Sequence, residues 1–291
     1  MSETPLIFNR ALHARRRDRA AAWLADHDFL FREVAERLAD RVLDVNRQFA
    51  RALDLGDPNG DALRATGRID RLFQADLSEG MARRARTTYP GTPTLVADEE
   101  TLPFAEASLD LIFSAMTLHW VNDLPGALVQ MRRALKPNGL LLAALAGAGT
   151  LKELHTALAR AESEITGGMA PHISPFADVR DLGNLLTRAG FALPVADTET
   201  ITVSYPDMFR LMADLRGMGE GNALLARHER GLRRDTMARA VEIYAETYAD
   251  ADGRLPATFE IVFLTGWAPA AGQQQPLKPG SAETSLKDAL S

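Results

Sequence analysis

Between Phe49 and Ala146 short apolar segments alternate with amphipathic ones, and the apolar segments end on a glycine, an acid or a small polar residue. Phe49 to Gly56 reads as a first strand running into the turn Asp54-Leu55-Gly56-Asp57-Pro58-Asn59-Gly60. Ile69 to Ala75 reads as a second strand ending at Asp76, with Ser78 placed to cap a helix over 79–86. A third, near Thr94 to Ala97, ends at Asp98, and a fourth, Leu109 to Ser114, ends before His119-Trp120. A helix from Asn122 or Asp123 to about Leu135, a turn over Lys136-Pro137-Asn138-Gly139 and an apolar strand from Leu140 to Ala146 complete the series. Strands that alternate with helices at this spacing demand a mainly parallel sheet wrapped by right-handed crossovers. Ligands of such sheets bind at the carboxyl ends of the strands, which here carry Gly56, Asp76, Asp98 and Ser114.

The first turn narrows the ligand. Gly56 and Gly60 allow close backbone approach and positive φ. Pro58 between them has a fixed φ and no N–H, and Asp57 adds a negative charge. A pyrophosphate is repelled there, and the G-x-G-x-x-G spacing of dinucleotide sites is missing. A ligand with positive charge and no phosphate suits the loop, and S-adenosylmethionine is one. Asp76 is placed to accept ribose hydroxyls, and Asp98 with Glu99 to receive the exocyclic amine of adenine.

Two helical stretches precede the sheet; in the second, Phe31, Val34, Ala35, Leu38 and Val42 recur at helical spacing. The basic run Arg15-Arg16-Arg17 with Arg19 reads as a solvated helix face, with a transit-like segment or an anion contact as the other readings. After the sheet come helices over 151–165 and 178–189, a strand near Ile201 to Tyr205, helical segments over 207–216 and 232–249, and a β-prone run from Thr258 to Trp267. Met208, Met212 and Met218 with Phe209 and Leu215 form an apolar helical stripe, read as cap core or a partner surface. The expected organisation is an N-terminal helical segment over 1–47, a main domain over 48–271 with a cap insertion at about 206–256, and a loose tail over 272–291.

The formal net charge is -6, so nucleic acid is not expected as a partner. No cysteine is present, which removes disulfides, thiolate metal sites and cysteine nucleophiles. The six histidines are scattered, so no metal site is expected, and no G-x-S-x-G elbow occurs. Met1 to Asn9 lacks the pattern of a secretory signal, and no apolar run approaches the about 18 residues of a spanning helix. His119 is a candidate general base or substrate contact; with Trp120 it also reads as a packing pair. His172, in Pro171-His172-Ile173-Ser174-Pro175, reads as a substrate-contacting lid residue or a structural turn.

The segments ALDLG (52–56), QADLS (74–78), ADEETLPF (97–104), LDLIFSAMTLHWVNDLPGAL (109–128) and LKPNGLLLAAL (135–145) together resemble the class I S-adenosylmethionine-dependent methyltransferases. With PHISPF (171–176), DLGNLL (181–186), GFALPVADTETITVSYPDMFRLMADLRGMGEGNAL (190–224), RDTM (234–237) and GSAETSL (280–286), the chain resembles the family of mitochondrial complex I assembly factor 5 and its bacterial relatives. A more distant similarity is to the malonyl-carrier-protein methyltransferases. The resemblance implies a Rossmann-like α/β fold with a mainly parallel seven-stranded sheet and a helical cap. It implies S-adenosylmethionine as cofactor, with Asp54 and Gly56 at the methionine end, Asp76 at the ribose, Asp98 and Glu99 at the adenine, and Gly60 and Ser114 as further cofactor-binding residues. His119 would then serve catalysis, and Trp120 and His172 the substrate. The implied acceptor is a protein or small molecule, methylated or, on a protein arginine, hydroxylated; the implied partner is a respiratory complex I subunit. A weakened homologue acting as an assembly chaperone is the alternative. The compartment is the bacterial cytoplasm, or the mitochondrial matrix in a eukaryote. One departure stands out: the family pattern Cys-Gly-x-Gly is here Asp57-Pro58-Asn59-Gly60, which predicts weakened cofactor binding.

Overall fold

A computed structural model of the chain describes residues 6–228, 231–273 and 281. The strands β1 (Ala52–Leu55), β2 (Leu72–Asp76), β3 (Thr94–Val96), β4 (Leu109–Ala115), β5 (Leu135–Ala146), β6 (Ala192–Tyr205) and β7 (Leu255–Trp267) form one sheet in the order β3-β2-β1-β4-β5-β7-β6. The first five run parallel and β7 is antiparallel to both neighbours. β4 is buried along its whole length, as a central parallel strand must be. Its alternate side chains feed two cores: Leu111, Phe113 and Ala115 face one layer, and Ile112 faces the other with Leu53 and Leu55.

Helices α1 (Arg10–Ala20), α2 (Phe29–Leu43), α3 (Asp61–Ala65), α4 (Glu79–Thr88), α5 (Leu124–Ala134), α6 (Lys152–Thr166), α7 (Val179–Arg188), α8 (Met208–Met218) and α9 (Arg234–Tyr248) flank the sheet. The apolar stripe read in the second helical stretch is buried: Phe31, Val34, Leu38 and Val42 are inaccessible in α2. Ser78 caps α4, accepting from the N–H of Met81 at 3.1 Å.

Several boundaries differ from the sequence reading, each for a local reason. The Lys136–Gly139 turn lies inside β5 as an irregularity. Leu135 pairs with Leu109 and Leu140 with Leu111, so the extra residues loop out with Asn138 at φ 62°. β6 begins far earlier than Ile201, because pairing with β7 holds its polar middle, 197–200, and Arg41 of α2 pairs with Asp197 and Glu199. The first strand is shorter, Phe49 making only a bridge to Ile69. The methionine stripe of α8 is core: Met208 and Met218 are fully buried, while Phe209 stays exposed. The tail expected over 272–291 lies, apart from 272, 273 and 281, outside the described residues. Among the described residues no helix is long and apolar enough to cross a membrane.

The N-terminal helix α1 docks on α4 at Gly80. Asp18 of α1 accepts from the hydroxyl of Ser78 at 2.6 Å and from the N–H of Gly80 at 2.9 Å. A Cβ on Gly80 would lie 2.9 Å from the Cα of Asp18, which backbone cannot yield without moving. Gly80→Ala adds helix propensity of about 1 kcal/mol to α4, yet is expected to unseat α1. Trypsin cleavage within the Arg15–Arg19 run, measured on the folded protein, is expected to rise several-fold; an unchanged rate would show that α1 does not depend on this contact.

Candidate functional site

The carboxyl ends of β1, β2 and β3 collect Asp54, Asp57, Asp76, Asp98 and Glu99. Asp54 is buried at 1 % exposure, and neither carboxylate oxygen has a hydrogen-bond partner. Burial, and then the charge of Asp57, holds its carboxyl well above the ordinary carboxylate range. Gly56 follows at φ 80°, where a Cβ would lie 2.6 Å from that of Thr117; only glycine fits.

Asp57 has a role the sequence reading did not give it. Its carboxylate accepts from the N–H groups of Asn59 at 3.1 Å and Gly60 at 3.0 Å. The loop amides that a glycine-rich turn offers an anion are therefore taken by the chain's own acid. Burial pushes this carboxyl up to about 6, against the two N–H bonds that lower it. Gly60, at φ 69°, leads into α3.

α1 crosses these strand ends. Arg10, His13 and Arg17 share one helical face. Arg17 is 1 % exposed. Its Nη2 donates to Asp76 Oδ2 at 2.5 Å and to the carbonyl of Gly56 at 3.1 Å, and its Nε reaches Asp76 Oδ1 at 3.3 Å. Asp76 Oδ1 also accepts from the N–H of Ser78 at 2.7 Å. Arg10 donates to Asp98 at 2.8 Å and to Glu99, whose other oxygen takes the hydroxyl of Thr117 at 2.6 Å. His13 stacks on Trp120 with ring centroids 4.5 Å apart; burial, then the charges of Arg17 and Arg10, pull its pKa well below the usual imidazole value. The solvated-face reading of the arginine run fails at Arg17, which contacts an anion of its own chain.

His119 and Trp120 lie between this edge and a cavity of about 830 Å³. His119 Nε2 and Trp120 Nε1 both meet Glu220 Oε2, at 3.0 and 2.8 Å. His172 also lines the cavity, with its Nε2 2.9 Å from Glu162. Ser114 is buried in β4 opposite Leu55 and Ala143, its hydroxyl unpartnered. The sequence reading missed Arg10, Arg17 and Glu220. The spacing of Arg10, His13 and Arg17 was a signal for the first two, as was Gly219 before Glu220 for the third.

The methyltransferase domain family matches residues 53–143. The chain is 44 % identical over 286 residues to the arginine-hydroxylase NDUFAF5, mitochondrial, of Danio rerio, covering 97 % of this chain and 89 % of that one. The chain belongs to the NDUFAF5 family of methyltransferase-fold proteins. It is also 36 % identical over 277 residues to the malonyl-[acyl-carrier protein] O-methyltransferase of Laribacter hongkongensis, covering 90 % of this chain and 91 % of that one. Its fold matches the YcgJ protein of Bacillus subtilis at TM-score 0.55 and 15 % identity, covering 80 % and 98 %.

In this NDUFAF5-family chain the buried pair is the tested contact. Removing one partner of a buried ion pair costs about 3–5 kcal/mol, because the other charge is stranded. Arg17→Met is expected to lower unfolding free energy by about that much, and Arg17→Met with Asp76→Asn to recover most of it; denaturant titration of the four proteins checks this, and additive losses would show that the two side chains do not act as a pair. Asp57 gives a pH signature. Its folded pKa of about 6 lies above the unfolded value of about 3.9, so its stabilising contribution is full below about 4 and lost as pH rises through about 6. The thermal midpoint is expected to fall over that window, and Asp57→Asn to flatten the fall; equal slopes in both proteins would remove this carboxyl from the account.

Proposed function

We propose that this chain binds S-adenosylmethionine at the carboxyl ends of β1 to β3 and acts on an arginine side chain of a partner protein presented through the adjoining cavity. The observation that carries the cofactor reading is Asp54, a buried carboxylate with both oxygens unpartnered. A buried acceptor left unpaired is costly, and a cationic ammonium or sulfonium supplies what it lacks. Gly56 and Gly60 bring the backbone close beside it, packed against Thr117 and Gln74, where the methionine end would be held. Asp76 suits the ribose hydroxyls, and Asp98 with Glu99 the adenine. When bound, the cofactor brings an activated methyl group; the chain's part is to bind, orient and exclude water.

Relatives named arginine-hydroxylase at 44 and 45 % identity over nearly the whole chain support a protein arginine as acceptor and its hydroxylation as the reaction, a two-electron oxidation for which dioxygen with an external two-electron reductant would supply the oxygen atom and leave water. The resemblance to complex I assembly factors supports a respiratory complex I subunit as the partner. Methyl transfer is the second reading, favoured by the domain match over β1 to β5 and by the malonyl-carrier relatives. A role in binding alone is favoured by Arg17, since a ribose and this guanidinium require the same oxygens of Asp76.

Calorimetric titration with S-adenosylmethionine is expected to give saturable binding, tightened by Arg17→Met, which frees Asp76, and weakened by Asp54→Asn. No heat at millimolar ligand in either the parent or Arg17→Met would end the cofactor reading. Deleting the gene in its host and weighing peptides of the complex I subunits is expected to show one arginine that loses an oxygen. Loss of a methyl group instead selects methyl transfer; no change at any arginine selects the binding role.

A further inference from the structure

Glu220 sits where the cavity meets the strand ends. It follows Gly219, which closes α8 at φ 84°, and its N–H returns to the carbonyl of Leu215 at 2.8 Å. The turn sets its carboxylate against His119 and Trp120, and the side chain is 9 % exposed. Oε2 accepts both ring N–H groups, while Oε1 is buried with no hydrogen-bond partner. The N–H of Ala146 points at His119 Nδ1 at 3.5 Å, which leaves the imidazole proton on Nε2. His119 then donates to Oε2 as Trp120 does, and Oε1 is left with no donor. Arg17 feels the charge of Glu220, but its Nε and Nη2 bond to Asp76 and Gly56 and its Nη1, though buried without a partner, makes no hydrogen bond to that carboxylate.

Among the described residues that line the cavity, Glu220 is the sole acid. The walls around it are apolar, with Met116, Leu151, Leu154, Ile173, Phe176 and Met218. A buried carboxylate short of donors, at the end of an apolar chamber, calls for a cation that brings N–H groups on an aliphatic stem. We propose that Glu220 is the docking carboxylate for the guanidinium of the acceptor arginine. A guanidinium fits better than an ammonium: its planar, weakly hydrated fork can give N–H bonds to Oε1 while its stem packs on the walls. Arg16, Arg19, Arg216 and Arg227 also line this cavity. They match acidic residues flanking the target, so the partner presents its arginine within an acidic segment.

This assignment rests on the arginine-modifying reading, but its test needs neither cofactor nor turnover. The full chain is followed by NMR at the indole N–H of Trp120, identified with Trp120→Phe, while N-acetyl-arginine amide is added. A saturable shift is expected. The same titration with N-acetyl-citrulline amide, which has the shape without the charge, is expected to give none. Glu220→Gln keeps an oxygen for His119 and Trp120 and removes the charge; it is expected to weaken arginine binding about tenfold or more, as loss of a charge-assisted hydrogen bond. A role for Glu220 in merely holding those two rings predicts no change in that variant. Equal affinity in Glu220→Gln, equal binding of citrulline, no arginine-dependent shift, or a saturable shift with malonate in place of arginine would each overturn the proposal. Should Glu220→Gln fail to fold, the citrulline comparison on the parent protein decides. Arginine binding without any S-adenosylmethionine binding would leave Glu220 standing and the cofactor reading fallen.

Discussion

Arg17 lies between Asp76 and the carbonyl of Gly56, and the strand ends depend on what it does there. A parallel sheet brings the ends of consecutive strands within a few ångströms of each other, and this sequence puts a carboxyl at or just beyond three of those ends. Like charges in a poorly solvated place raise one another's pKa or force the site apart. The chain meets that strain in two ways. Arg17 and Arg10 supply opposite charge to Asp76, Asp98 and Glu99. Asp54 and Asp57, which have no such partner in contact, are shifted toward their neutral forms. The same crowding that makes the edge suitable for a cationic ligand makes it demand a cation of the chain's own.

That demand explains the unusual docking of α1. Its buried residues are His13, Arg17 and Ala20, so little apolar area holds it, and its attachment is ionic and capped rather than hydrophobic. An element held this way belongs to the low-stability part of a structure. A ligand on Asp76 has to displace a buried guanidinium, and its hydroxyl donors must make up for the charge that Asp76 then loses. By contrast α2, with a continuous apolar stripe against the sheet, is part of the permanent scaffold.

The sheet was legible in the sequence because its signals are local and apolar: runs such as Leu109 to Ser114, caps such as Ser78 and Asp123, and glycines at turns. Asp54, Gly56, Asp76 and Asp98 could be placed at strand ends for the same reason. What could not be read was the pairing of charges across long separations. Arg17 and Asp76 are far apart in sequence, and an arginine run has the composition of a solvated face; nothing local says that one member turns inward. The spacing of Arg10, His13 and Arg17 on one face carried the information, as a polar helical face that is buried rather than solvated. β6 was underestimated for a related reason. Asp197 to Thr200 has no apolar alternation, and its strand geometry comes from β7 and Arg41 rather than from its own residues.

The position of His119 and Trp120 joins the two halves of the site. The short turn after β4 places them with one neighbour on each side: Trp120 stacks on His13 of α1, and both rings hold Glu220 beyond α8. α1 therefore touches the strand-end acids through its arginines and the cavity wall through His13. The strand-end acids and the cavity wall are thus joined through a single helix turn, by the ion pairs of Arg10 and Arg17 and the stacking of His13 on Trp120. The residue that links the two regions, Trp120, is itself fixed by its hydrogen bond to the carboxylate whose second oxygen has no partner.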